Sequence, residues 1–353
     1  MYPKLEDYPS TDYFCVHTLG GDLKVSIDKQ VSGTGTDYAL SYSFDKVIWN
    51  AYTFGTTLTV QNHVYFKATS TNPFTLTSYC HLNADKLCAI SGKISTLFNN
   101  DISITSLDLG NYSSPLFSRL AFTDISTYNG LFDGGSITST NGFFNSNTNI
   151  KFTEYLQINI KDLYYGCFNK AFAGCTNLYN TPALPWTTLA ERCYEEMFLD
   201  CNNLNVAPTL AATTLQPYCY AGMFGWCYNL QNAPVLPATT LAEGCYTAMF
   251  QMFKIIGTDP YTLPEVKLMA LPKLPATTLA EKCYLGMFGR CAEPGSNRFI
   301  LPTVGTITDS AVIQNPEKYT RGMISWIDDQ NNLKVHEVFA PNTVYNMSLQ
   351  TVE

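Results

Sequence analysis

The sequence predicts an α+β chain: an N-terminal antiparallel β-sandwich, then a solenoid of 26-residue strand, turn and helix units, then a C-terminal cap. Three observations carry this. One phrase recurs as LPWTTLAERCYEEMFLDCNNL, LAATTLQPYCYAGMFGWCYNL, LPATTLAEGCYTAMF and LPATTLAEKCYLGMFGRC, beginning at Leu184, Leu210, Leu236 and Leu274. From Tyr13 to about Thr96 the chain instead gives short alternating or β-branched runs between Gly, Asn and Pro signals, the grammar of an antiparallel sandwich. Finally, 353 residues exceed one ordinary core, and 46% hydrophobic residues can fill two. The implied boundaries are 1–96 for the sandwich, 97–162 for a transition region with degenerate repeats, 163–303 for the solenoid and 304–353 for the cap.

The sandwich strands are read from YFCVHTL, DLKVSID, YALSYSF, TLTVQ, HVYFKAT and KLCAISG. Gly33-Thr34-Gly35 between them reads as a hairpin turn, because the strand and helix context of a nucleotide loop is missing. Residues 97–161 are rich in Asn, Ser, Thr and Phe without a clear period, although Ser106 to Leu109 fits a degenerate first rung.

The solenoid period is set by Cys167, Cys193, Cys219 and Cys245, each 26 residues from the next. The step to Cys283 is 38 residues, so the unit after Phe250 carries a 12-residue insertion within Gln251 to Ala270, expected to project as a loop. Within the frame C-Y-x-x-M-F-x-x-C, Cys193, Met197 and Cys201 stand at i, i+4 and i+8, which predicts one face of a helix. Thr188 before Glu191, Thr240 before Glu243 and Thr278 before Glu281 supply capping boxes, and Pro217 stands in the first turn of the unit that begins at Leu210. After the second cysteine, N-L-x-x-x-P predicts a short strand ended by Pro182, Pro208 and Pro234. Stacking then aligns Asn177, Asn203 and Asn229 in a buried ladder beside Leu178, Leu204 and Leu230. No unit can bury its apolar face alone.

The phrase LPATTLAEGCYTAMF, with C-x-N-L-x-x-A-P in neighbouring units, resembles the BspA-like class of leucine-rich repeats, known from surface proteins of gut Bacteroidales and from their phages. The resemblance covers roughly a third of the chain, Leu163 to Cys291. Phe253 departs from it by replacing the second cysteine of its unit, and the N-L strand is lost after Cys291. YALSYSFDKVIWNAYTFGTTLTVQNHVYFKATS similarly resembles a small β domain that precedes such repeats. The implied function is non-enzymatic: a phage virion surface or fibre protein, attached to other virion proteins through its N-terminal domain and binding a host-surface glycan or protein. A homo-oligomer is compatible with that role.

Composition narrows the partners. With 14% charged residues and a formal charge of −8, a phosphate backbone would be repelled, so nucleic acid is not expected. No run reaches the roughly 18 apolar residues of a spanning helix, so no membrane insertion is expected. MYPKLEDYPSTDYF lacks the features of a secretory signal, which favours a virion over a bacterial cell surface as the location. An adhesin on a bacterial surface remains the alternative, and a glycan-processing enzyme with its site in the central segment is the third reading.

Neither a cofactor nor a metal is expected. Of the twelve cysteines, eight form four pairs eight residues apart, about 12 Å along a helix and too far for a disulfide within a unit; the expectation is buried free thiols, with bridges between stacked units as the alternative. His17, His63, His81 and His336 are isolated, Glu195-Glu196 read as a solvated helix face, and Asp328-Asp329 as a lone turn. No catalytic residue is assigned.

Recognition is expected where the repeats differ. The slots flanking the second cysteine hold Trp226 and Tyr228, and Trp186 replaces a recurring alanine. Along the strand, Tyr179-Asn180, Asn205-Val206 and Gln231-Asn232 vary, where a concave sheet would face a ligand. The insertion, with Phe253, Ile255, Ile256, Tyr261 and Leu268, is the other candidate contact. The competing reading of Trp186 and Trp226 is that they cover neighbouring turns.

Overall fold

The computed structural model describes residues 12–31, 39–69, 78–97, 144–252, 267–268, 272, 274–276, 278–289, 324–327 and 333–336. Nine strands build two sheets over one core: β1 (Phe14–Thr18), β2 (Leu23–Val31), β3 (Leu40–Ser43), β4 (Asn50–Tyr52), β5 (Leu58–Val60), β6 (His63–Ala68), β7 (Ser78–Ala84), β8 (Cys88–Lys93) and β9 (Ile150–Gln157). The sheets run β4-β3-β6-β1-β8-β9 and β5-β2-β7. Alternation sets their inner faces: Phe14, Val16, Val64 and Phe66 from one sheet and Leu23, Val25 and Ile27 from the other are buried in the same cluster. The larger sheet is mixed rather than antiparallel, because β9 lies parallel to β8. Thus a strand from the central segment completes the N-terminal sheet.

The α+β expectation is corrected in the repeats. Among the described residues the only helix is a single 3-10 turn, Ile94–Leu97. Each C-Y-x-x-M-F segment is instead a ribbon of overlapping turns. In the first unit the N–H groups of Cys167, Asn169, Ala171, Ala173 and Cys175 donate to the carbonyl three residues back. The intervening N–H groups of Gly166, Phe168, Lys170, Phe172 and Gly174 donate across to Glu191, Cys193, Glu195, Met197 and Leu199 of the next unit. Half the backbone bonds therefore close turns and half join units.

This ribbon needs a left-handed residue every fourth position, at the third place of alternate turns, where type II geometry demands positive φ. Gly166, Lys170 and Gly174 supply it in the first unit, Arg192, Glu196 and Asp200 in the second, Tyr218, Gly222 and Trp226 in the third. A left-handed non-glycine residue costs about 1 kcal/mol, and the cross-unit bonds offset it. The physical reason for the misreading is the period. An α-helix advances 3.6 residues per turn and mixes i+3 with i+4, whereas these apolar pairs recur at four throughout. The capping-box threonines cap nothing helical: Thr188 bridges Thr214, and Thr240 bridges Thr278. The N-L-x-x-x-P segments are likewise not strands, and a single parallel bridge, Leu184 to Leu210, registers the first two.

Stacking aligns like with like. Phe144, Phe172, Phe198, Phe224, Phe250 and Phe288 form one column with centroids 4.9 to 5.8 Å apart. Phe168, Tyr194, Tyr220, Tyr246 and Tyr284 form a second at 5.9 to 6.0 Å. Each stacked pair adds about 0.5–1.5 kcal/mol beyond area burial. The asparagine ladder forms but is half-exposed rather than buried: Asn203 Nδ2 donates to Thr176 O and Asn177 Oδ1, and Asn229 Nδ2 to Asn202 O and Asn203 Oδ1. Among the described residues ten cysteines are buried thiols outside any disulfide. Cys175, Cys201 and Cys227 each donate Sγ–H to the carbonyl of the preceding unit's Phe144, Phe172 or Phe198, so the second cysteine acts as a compact donor within the stack. Burial pushes the Cys167, Cys219 and Cys283 thiols up to about 12.

Both ends of the stack are met. Residues 144–150 form a degenerate first rung, in which Ser146 donates to Ala173 O, Asn147 replaces the cysteine and donates to Leu82 O, and Asn149 reaches Ala84 O. Phe144 also touches Phe14 of β1, joining ring column to sheet core. At the other end β10 (Phe288–Gly289) pairs in parallel with β11 (Ile324–Ile327), which pairs antiparallel with β12 (Leu333–His336). Ser106 to Leu109, Gly33 to Gly35, Cys291 and Asp328-Asp329 lie outside the described residues.

Phe198→Ala in mid-column should lower unfolding stability by about 3–5 kcal/mol in denaturant titration, while Val206→Ala on the surface should stay within about 0.5 kcal/mol. Equal losses would contradict the ring column as a source of stability. A thiol reagent should leave the native protein almost unlabelled and label it readily in denaturant; rapid native labelling of the repeat cysteines would contradict their burial.

Candidate recognition face

The proline-bearing segments form a face. Asn205 and Val206 both donate N–H to Tyr179 O, and the two units meet again at the Leu184 to Leu210 bridge. Between these points Pro182 and Pro208 offer no N–H, and a cleft of about 330 Å³ opens there. Pro185, Val206 and Ala207 give it apolar walls, and Glu154 of β9 stands at its edge as an exposed carboxylate. Tyr179, 42% exposed, lies 5.9 Å edge-on to Phe152 of β9, whose ring also carries Lys151 Nζ at 5.7 Å. The face of the large sheet thus continues into the stack.

The predicted residues divide. Tyr179, Asn205, Gln231 and Asn232 share this face, Asn232 exposed and Asn205 and Gln231 half-buried. Asn180 lines the cleft from below rather than projecting into solvent: it is buried, its Oδ1 accepting Thr153 N–H and its carbonyl accepting the Thr153 hydroxyl, which ties β9 to the first unit. Tyr228 is corrected too. It is 5% exposed, and the returning insertion crosses it, with Lys267 N–H donating to its carbonyl. Trp226 occupies a left-handed ribbon position, half-buried against the core. Trp186 is half-buried, donates Nε1–H to Lys161 O at 3.3 Å and lies 6.5 Å from Phe168. Trp186 covers the turn that carries Phe168, and neither tryptophan lines the cleft. Leu268 packs on the core, while Phe253, Ile255, Ile256 and Tyr261 lie outside the described residues.

Phe152, Glu154 and Lys151 were not anticipated as neighbours of this face. FFNSNTNI, residues 143–150, matches AFAGCTNL, residues 171–178, and would have placed β9 directly after a rung.

Two polar clusters test for chemistry elsewhere. Glu195-Glu196 are not solvated. Glu195 accepts from Arg192 at 2.7 Å and Asn169 at 2.9 Å, and Glu196 pairs with Lys170 at 3.2 Å, because ribbon side chains point between units. They tie the first unit to the second. His17 Nε2 lies 2.6 Å from Ser91 Oγ, a spacing a nucleophile and base would share. Yet His17 is 3% exposed, and burial, with the charges of His63 and Lys46, holds it down to about 3. Held this low, the imidazole is neutral at neutral pH and a poor proton acceptor, and the pair lies sealed in the sheet core. Among the described residues no group of His, Cys, Asp and Glu is placed to hold a metal, and no helix is long and apolar enough to cross a membrane. No protein-family model, curated protein or solved structure matches the chain.

His17 yields a pH dependence. Its folded-state value lies below the ordinary 6.5, so its stabilising contribution is complete above pH 6.5 and is lost as pH falls toward about 3. The loss should reach up to about 4 kcal/mol at the acid end. Unfolding titrations across this window should show a steeper decline for the wild type than for His17→Gln; parallel slopes would refute it.

Proposed function

We propose that the chain is a non-enzymatic binding scaffold, its stacked units a short solenoid of the BspA-like leucine-rich kind and its proline face the receptor-binding surface. One observation carries the reading: buried positions recur almost unchanged from unit to unit, while the exposed positions beside the cleft do not. Tyr179, Asn205 and Gln231 share one slot, and Ala183, Thr209 and Val235 another. Stacking dictates the first set and leaves the second free to be shaped by a ligand. An aromatic ring, amides and an apolar cleft edged by a carboxylate suit a host-surface glycan or protein. The N-terminal sheets then attach the scaffold to other virion proteins. A bacterial cell-surface adhesin would use the same face, and neighbouring genes for capsid or tail proteins distinguish the two carriers.

Host-cell and glycan-array binding should fall about tenfold for Tyr179→Ala combined with Val206→Asp, the loss expected of a central contact. Trp226→Ala, on the ribbon, should bind as the wild type does. Unchanged binding by the double variant would remove the face, and release of sugar products would replace it with the glycan-processing reading.

A further inference from the structure

Among the described residues that line the proline-face cleft, Glu154 alone carries a charge. It is exposed on β9, while Lys151 of the same strand is held over the Phe152 ring at 5.7 Å and does not line the cleft. The walls are apolar, with Pro185 and Val206 exposed and Ala207 half-buried. An anionic edge thus adjoins apolar walls.

The backbone of the cleft adds to this polarity. Pro182, Pro185 and Pro208 each keep a carbonyl and lack an N–H, and Val206 spends its N–H on Tyr179 O. With the carboxylate, this leaves the lining richer in acceptors than in donors. The head groups of lysine and arginine are donors only, and cannot accept. Their methylene stems lie along apolar surface while the charge stays at its rim. A neutral sugar brings hydroxyls that accept as well as donate, so part of its capacity goes unmatched in an acceptor-rich cleft.

We propose that the cleft takes a lysine or arginine side chain presented by an exposed segment of a host-surface protein. The stem lies between Pro185 and Val206, and the charged head meets Glu154. This ligand rests on the proline face being the receptor surface, and it narrows the receptor from glycan or protein to protein. The formal charge of −8 on the whole chain favours the approach of such a basic segment.

Arrays of acetylated, amidated Gly-Ala-Xaa-Ala-Gly peptides probed with the full chain test this. The wild type should retain the lysine and arginine peptides about fivefold over the norleucine and Nε-acetyl-lysine ones, the upper range for an exposed ion pair, and the preference should fade in high salt. Glu154→Gln should lose the preference, and Glu154→Lys should turn it toward the glutamate peptide. Asp22→Asn removes the same formal charge just before β2 and should bind as the wild type does. An unchanged thermal midpoint certifies that each variant is folded. Absence of any preference in the wild type would overturn the proposal, as would its persistence in Glu154→Gln, which marks general attraction to a negative chain. Stronger retention of glucosamine oligomers than of the basic peptides, lost in Glu154→Gln, would also overturn it and assign the carboxylate to an amino sugar. Host-cell binding kept by Glu154→Gln but lost in Tyr179→Ala with Val206→Asp would remove this ligand and leave the face standing; binding kept by both variants would remove the face as well.

Discussion

Everything in the repeat region depends on how alternate backbone N–H groups are spent. One closes a turn within its own unit and the next reaches the neighbouring unit, as with Cys167 to Tyr164 and Phe168 to Cys193. This alternation holds successive units in register with no long ladder and no helix. It brings equivalent rings to within about 6 Å of one another, and it forces the left-handed positions at Lys170, Glu196, Gly222 and Ala248. It also explains why polar side chains between units are paired. A carboxylate such as Glu195 lies in the seam between units, where Arg192 and Asn169 hydrogen-bond to it.

The same rule couples the two halves of the molecule. Because the ribbon bonds sideways, its first unit needs a predecessor to supply bonds, and residues 144–150 provide one before running directly into β9. Phe144, the first ring of the column among the described residues, meets Phe14, while Asn147 and Asn149 grip the carbonyls of Leu82 and Ala84. Sheet and stack share a core, and the outer surface of β9 continues onto the proline face.

The repeat was legible because stacking demands identity. Cys193, Tyr194, Met197 and Phe198 recur, and all are buried. Free thiols and the asparagine ladder followed from the same pattern. The local conformation was misread because apolar spacing of i, i+4 and i+8 fits a helix over so short a run. Glycines at Gly166, Gly174, Gly222, Gly244 and Gly286, all in one four-residue phase, were the available sign of a backbone needing positive φ. Among the strands, β1, β2, β3, β5, β6 and β8 were visible as alternating runs, but β4 has three residues and β7 and β9 carry many polar ones, so pattern alone passed them over. Tyr228 and Asn180 looked exposed because both vary between units; one is covered by the returning insertion, the other consumed by β9.

By itself the sequence determined which residues must be buried together and at what period, since periodic side chains are a property of the chain. It also determined where exposed variation could occur. Only the tertiary structure decided the backbone carrying that period, because a turn ribbon is stable only when the next unit accepts its N–H groups. It likewise decided which variable residues stand most open, since Tyr179 and Val206 lie exposed beside the proline-lined cleft, while Trp186 and Trp226 pack half-buried against the core. Contacts between residues 25 or more positions apart settle these matters, and no local pattern encodes them.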